Sequence, residues 1–298
     1  MKVIAVVLIV SLLFGFCCAE ERLQVVTTDF PCYDFARQVT NGLCEVSMLL
    51  KPGAEAHAYE PTPADIIAIR DADLFIYIGG ESDVWVEEIL SGFDGDEGPV
   101  CLKLIDCVDD LLAEENEEGA EEIGYDEHIW TSPGNAIRMV SAVGESLAAL
   151  DSDHEPQYRA AADRYIAEIG EIDAFVKETV ESAARREIIF ADRFPFAYFT
   201  AAYGLKAYAA LPSCSGETEA SAQTIMDLIR RVREDGIPAV FTIEMSTQAI
   251  ARTISEETGA EILTMQSMQT ITQDDFDAGK TYVSMMRENA EALEKGLN

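Results

Sequence analysis

From Gln24 to the C-terminus the chain alternates short β-branched or apolar runs with stretches of helical period, and this alternation restricts the fold more than any other feature. Gln24-Val-Val-Thr-Thr28 reads as a strand, Asp29-Phe-Pro31 as a turn, and Tyr33 to Thr40 as a helix ended by Asn41-Gly42. Strands follow at Cys44 to Leu50, Leu74 to Ile78 and Pro99 to Ile105, with helices between them at 64–71, entered through Thr62-Pro63, and at 83–90. Consecutive strands separated each time by a helical connection pair in parallel, with helices covering both faces of the sheet. A helix at 134–149 closes this half. Residues 151–186 then carry Tyr158, Ala162, Tyr165, Ile169, Ile172, Val176 and Val180 at spacings of three and four, the apolar face of one long helix. Strands at Glu187 to Ala191, Lys206 to Ala210, Ala239 to Ile243 and Glu261 to Met265, with helices at 222–234, 246–258 and 274–296, repeat the pattern. The expected fold class is α/β: two lobes, 20–150 and 187–298, each with a parallel sheet flanked by helices, joined by one long linking helix at 151–186. Two lobes on one helix leave a cleft between them, the usual place for a ligand.

Residues 1–19 place Lys2 before an apolar run from Val3 to Phe16, then Cys17-Cys18-Ala19 ahead of Glu20-Glu21. That run is too short to span a bilayer comfortably and has the regions of a secretory signal. The expectation is an exported protein, periplasmic or on the extracellular face of the cytoplasmic membrane. Cleavage after Ala19 and lipid anchoring through Cys17 or Cys18 are both open. Of the five cysteines beyond this segment, Cys32 and Cys44 bracket the first helix and are the most natural disulfide pair in a compartment that permits one, with the connectivity open and one cysteine left over. No cysteine has the C-x-x-C spacing of a thiolate zinc site.

The formal net charge is −34, with 55 acidic residues against 21 basic ones, which disfavours nucleic acid and anionic membrane surfaces as partners and suits a cation. Eleven of the acids lie between Asp106 and Glu127, with no Lys or Arg among them. Such a block repels itself and reads as a solvated, mobile loop. No His-Glu-x-x-His, Gly-x-Ser-x-Gly, phosphate loop or dinucleotide fingerprint occurs, so no enzymatic chemistry is indicated.

Two histidines remain to be explained. His57 stands in Lys51-Pro-Gly-Ala-Glu-Ala-His-Ala-Tyr-Glu-Pro-Thr-Pro63, between a strand and a helix, and His128 in Tyr125-Asp-Glu-His-Ile-Trp-Thr-Ser-Pro133, just before a helix capped by Thr131 or Ser132. Two such loops suggest one metal; His154, among acids at the start of the long helix, reads as a surface residue. The two motifs, and the chain from about Leu23 onward, resemble the zinc- and manganese-binding solute receptors of ABC importers. The resemblance implies capture of a divalent metal, Zn2+ first and Mn2+ second, by a monomer that delivers it to membrane permease subunits. It places a third ligand at Arg193 and a fourth at Gln266, neither of which suits the role. A carboxylate of the second lobe is expected instead, with Asp192 or Glu219 coordinating and the other, or Glu217, neutralising Arg193. Glu60 is expected to orient His57. A metal-dependent adhesin and, more distantly, a two-histidine hydrolase are the alternatives.

Overall fold

The computed structural model describes residues 22–93, 98–113, 124–212 and 220–298. In its first lobe β1 (Gln24–Thr27), α1 (Phe30–Thr40), β2 (Glu45–Met48), α2 (Pro63–Arg70), β3 (Leu74–Tyr77), α3 (Val84–Ser91) and β4 (Val100–Lys103) follow one another, and the strands pair in parallel in the order β2-β1-β3-β4. β3 is buried at all four positions because it lies between two strands and under helices on both faces. α2 starts where Thr62 and Asp65 exchange side-chain and backbone bonds in a capping box, with Pro63 in the first turn.

α4 (Pro133–Leu150) and α5 (Glu155–Ser182) lead into the second lobe: β5 (Glu187–Phe190), α6 (Ala197–Tyr203), β6 (Lys206–Ala209), α7 (Ala222–Asp235), β7 (Ala239–Thr242), α8 (Ala249–Thr258), β8 (Glu261–Thr264), α9 (Gln273–Asp277) and α10 (Tyr282–Leu297). Its sheet is again parallel, in the order β6-β5-β7-β8. The seven apolar residues foreseen on the long helix are all buried. With 28 residues α5 is about 42 Å long at 1.5 Å per residue. It packs against α4, α10 and α1. One apolar core consequently runs from Val25 and Phe35 through Tyr158 and Ile172 to Phe190, Phe241 and Leu293.

Three expectations are corrected. Asp29 does not form a free turn: it caps α1, its Oδ1 accepting from Cys32 N at 3.2 Å, so the helix begins at Phe30 with Pro31 in its first turn. The last helix is two, because Gly279 adopts φ 72° and Thr281 starts α10 with its own capping box. Cys32 and Cys44 are both free. Cys32 lies in the first turn of α1 and Cys44 beyond its C-terminal end, so about 12 Å of helix at 1.5 Å per residue separates Cys32 from the turn that leads to Cys44. Cys44 Sγ instead meets Tyr158 Oη at 3.3 Å.

Candidate metal centre

In parallel sheets ligands gather beyond the carboxyl ends of the strands, where the loops diverge. The cleft here is lined by loops that follow β2, β5, β7 and β8, together with His128 from the segment before α4. It holds about 100 Å3, room for an ion and waters.

His128 has no exposed surface. Asp126 Oδ1 accepts from its backbone N at 2.8 Å and lies 3.0 Å from its Nδ1. The carboxylate thus holds the proton on Nδ1 and leaves Nε2 a bare lone pair. That Nε2 is buried and has no hydrogen-bond partner. Burial opposes protonation of the ring, but the bond and charge of Asp126 outweigh it and raise the His128 pKa above the ordinary imidazole value.

His57 lies on a single 3-10 turn, Ala56–Ala58, and is partly buried. Its Nδ1 is 3.0 Å from Ser82 Oγ, which donates its one proton to Glu127 Oε1 at 2.5 Å. Nδ1 must therefore be the donor to Ser82, and Nε2 again faces outward unprotonated. Burial lowers the His57 pKa, with the Glu127 carboxylate pulling the other way.

Glu127 joins the histidines. A ligand atom of each of His57, Glu127 and His128 lies within 4.8 Å of the others, the one such grouping of His, Cys, Asp and Glu among the described residues. The loop from Gly79 to Asp83 cradles this carboxylate: Ser82 N donates to Oε2 at 2.7 Å, and a Cβ at Gly80 would stand 2.1 Å from Glu127 Cβ. Gln269 Nε2 donates to Oε1 at 2.8 Å from the second lobe. These three donors leave one of a carboxylate's roughly four lone-pair sites for a metal.

Against this geometry the chain can be compared with known proteins. The family model described as "Zinc-uptake complex component A periplasmic" (ZnuA) matches residues 25–296. The chain belongs to this family. It is similar to the zinc-binding lipoprotein AdcA of Streptococcus pneumoniae, 30% identical over 287 residues that make up 93% of this chain and 56% of that protein. It therefore spans about half the length of that relative. It is also similar to the high-affinity zinc uptake system protein ZnuA of Bacillus subtilis, at 28% identity over 93% of this chain and 88% of the relative. The crystal structure of the Zn(II)-bound ZnuA-like domain of the pneumococcal AdcA superposes with a TM-score of 0.78 at 30% identity, covering 93% of this chain and 99% of that one. The family is one of solute receptors, not enzymes.

Within the family frame, His57 and His128 stand where their motifs placed them and come together. Asp192 and Arg193 line the same cleft, although Asp192 lies outside the three-residue cluster. Asp192 Oδ1 accepts from Arg193 N at 2.9 Å, whereas the Arg193 guanidinium is neutralised across the cleft by Glu55, at 3.1 Å. Gln266 does not line the cleft; its backbone N donates to Asn289 Oδ1 and its carbonyl accepts from Asn289 Nδ2. Glu217 and Glu219 lie outside the described residues, as do 114–123 of the acidic block. Glu60 is exposed, and Ser82 orients His57 in its place. His154 pairs with Asp151 at 2.7 Å, away from the site.

Asp126 and Glu127 were hidden among the eleven acids of their block, yet both are almost fully buried. Their position beside His128, next to the helix start at Pro133, was the available signal. The cleft's other second-lobe carboxylate, Glu244, accepts from Ser267 N at 2.6 Å and from Ser267 Oγ, and burial raises its pKa.

Proposed function

We propose that this chain is an extracytoplasmic receptor that captures one Zn2+ in the cleft and hands it to the membrane permease of an ATP-driven importer. The observation that carries the reading is the buried, unpartnered Nε2 of His128 beside His57 and Glu127. A buried lone pair without a partner costs free energy unless something takes it up, and a metal does. Two imidazoles and a carboxylate favour Zn2+, with Mn2+ the weaker fit because it prefers more oxygen donors. His57 and His128 bind through Nε2, with Glu127 as third donor. Asp192, which lines the cleft from the second lobe, is the proposed fourth donor, with Glu219, outside the described residues, the alternative read from the sequence.

Delivery to a permease, monomeric work and an N-terminal export signal in 1–19, with or without an anchor at Cys17 or Cys18, complete the proposal. The names of the ZnuA and AdcA relatives support it. Among the described residues no helix is long and apolar enough to cross a membrane.

Titration calorimetry with Zn2+ tests the assignment. The parent should bind one ion, and His57→Ala or His128→Ala should each weaken binding by orders of magnitude, while His154→Ala leaves it unchanged. Equal affinity in the parent and both histidine variants would end the proposal.

A further inference from the structure

One loop of the second lobe reaches both segments that carry the metal donors. Trp130 Nε1, two residues beyond His128, donates to Ser267 O at 2.7 Å. Gly53 N, at the head of the His57 loop, donates to Ile271 O at 2.8 Å. Gln269, between these two acceptors, donates through Nε2 to Glu127 Oε1 at 2.8 Å and lies 3.3 Å from Ser82 Oγ. Only the amide nitrogen can face a carboxylate, which accepts and does not donate, so the orientation of this side chain is determined.

The loop is not free to relax. Met268 is fully buried at φ 64°, a left-handed conformation that costs a non-glycine residue free energy and persists only where the surroundings enforce it. The enforcement comes from Glu244, which binds both the backbone N and the hydroxyl of Ser267, and Ser267 Oγ in turn accepts from Gln269 N at 3.3 Å. Gln269 itself is 8% exposed, so its bond to Glu127 is shielded from water.

We propose that Gln269 is a positioning residue: from the second lobe it fixes the Glu127 carboxylate on the metal and so makes zinc affinity depend on the lobes being closed. The inference rests on the proposed zinc site and on Glu127 as a donor. Ser82, in the first lobe, holds Glu127 whatever the second lobe does. Gln269 alone among the hydrogen-bond donors to this carboxylate, within the described residues, leaves when the lobes part. Opening then frees one oxygen of a ligand, and the ion dissociates faster without any residue having to protonate. Outer donors of this kind are worth about tenfold to a hundredfold in metal affinity.

The test uses the full chain, Zn2+, a competing chromophoric chelator for affinity and a chelator chase for release. Gln269→Leu and Gln269→Met keep the volume and remove the donor. Each should bind Zn2+ about tenfold to a hundredfold more weakly, with most of the change in the dissociation rate and the circular dichroism spectrum of the zinc-free protein that of the parent. In a Glu127→Gln background the same replacements should add little, because the partner is already altered; a purely structural role would add its full effect there. Parent-like affinity and release in both variants, alongside loss of binding in His57→Ala, would overturn the role of Gln269 while leaving the zinc site standing. Full additivity with Glu127→Gln would overturn it too. A parent that binds no zinc would instead sink the site on which the inference rests.

Discussion

Asp126 does for His128 what Ser82 does for His57: it occupies Nδ1 and turns Nε2 toward the cluster. Removing the carboxylate by Asp126→Ala should therefore lower zinc affinity by about tenfold to a hundredfold, the usual effect of losing such a partner, measurable by chelator competition. The same pair sets the pH response. A protonated imidazole cannot coordinate, and His128 holds its proton to higher pH than an ordinary histidine whereas His57 releases its proton more readily. Zinc affinity should thus fall on acidification from neutrality, with His128 as the controlling group, and Asp126→Ala should move the fall to lower pH. An affinity that does not change between pH 8 and 5.5 would contradict the ligand assignment. At this scale the histidines were legible in the sequence, because each stands alone in a turn-rich loop before a helix. Glu127 was not, since a carboxylate in a run of carboxylates gives no hint that the chain folds over it. Gln269 was still less visible, as its role exists only across the cleft.

Elements were more readable than residues. Alternating strand and helix patterns located every strand of both sheets, because strands buried on both faces read as short apolar or β-branched runs and helices carry a period of 3.6. Element ends depend on single capping bonds, and there Asp29 and Gly279 departed from expectation. The β3–α3 loop shows how closely an element can be tied to the site. Gly80 has no room for a side chain, since a Cβ would overlap Glu127 at both Cβ and Oε2. Gly80→Ala should push Glu127 away from the histidines and weaken zinc binding at least as much as Gln269→Leu, while the circular dichroism spectrum stays that of the parent. Binding equal to the parent would mean the carboxylate is not held where the loop puts it. In α2 the capping box predicts a separate, purely structural effect: Thr62→Ala should cost about 1 kcal/mol of stability, read by urea denaturation, without altering zinc affinity in the native state.

Across the whole molecule, two further carboxylates behave unusually. Asp29 is pushed up to about 8 and Asp83 to about 7, in both cases chiefly because burial disfavours the charge. In the unfolded chain both titrate near 3.9. The native state therefore binds more protons than the unfolded state between those limits, so this contribution to stability is complete below about pH 4 and lost as pH rises through 7 to 8. Self-repulsion in a chain of net charge −34 acts in the same direction. The zinc-free protein should accordingly melt at a lower temperature at pH 8 than at pH 5.5, and a scanning calorimetry series showing the reverse trend would refute the assignment of these buried acids.

The core that runs through α5 also limits how this chain can exchange parts with its relatives. One face of that helix is shared by α1, α4 and α10, so its side chains answer to both sheets at once. A chimaera joined at residue 150 to a relative 30% identical would present the first lobe with a long helix shaped for a different neighbour. Recombination should then be tolerated in the exposed loops and punished at the midpoint, so that the segment 25–296 is inherited as a block.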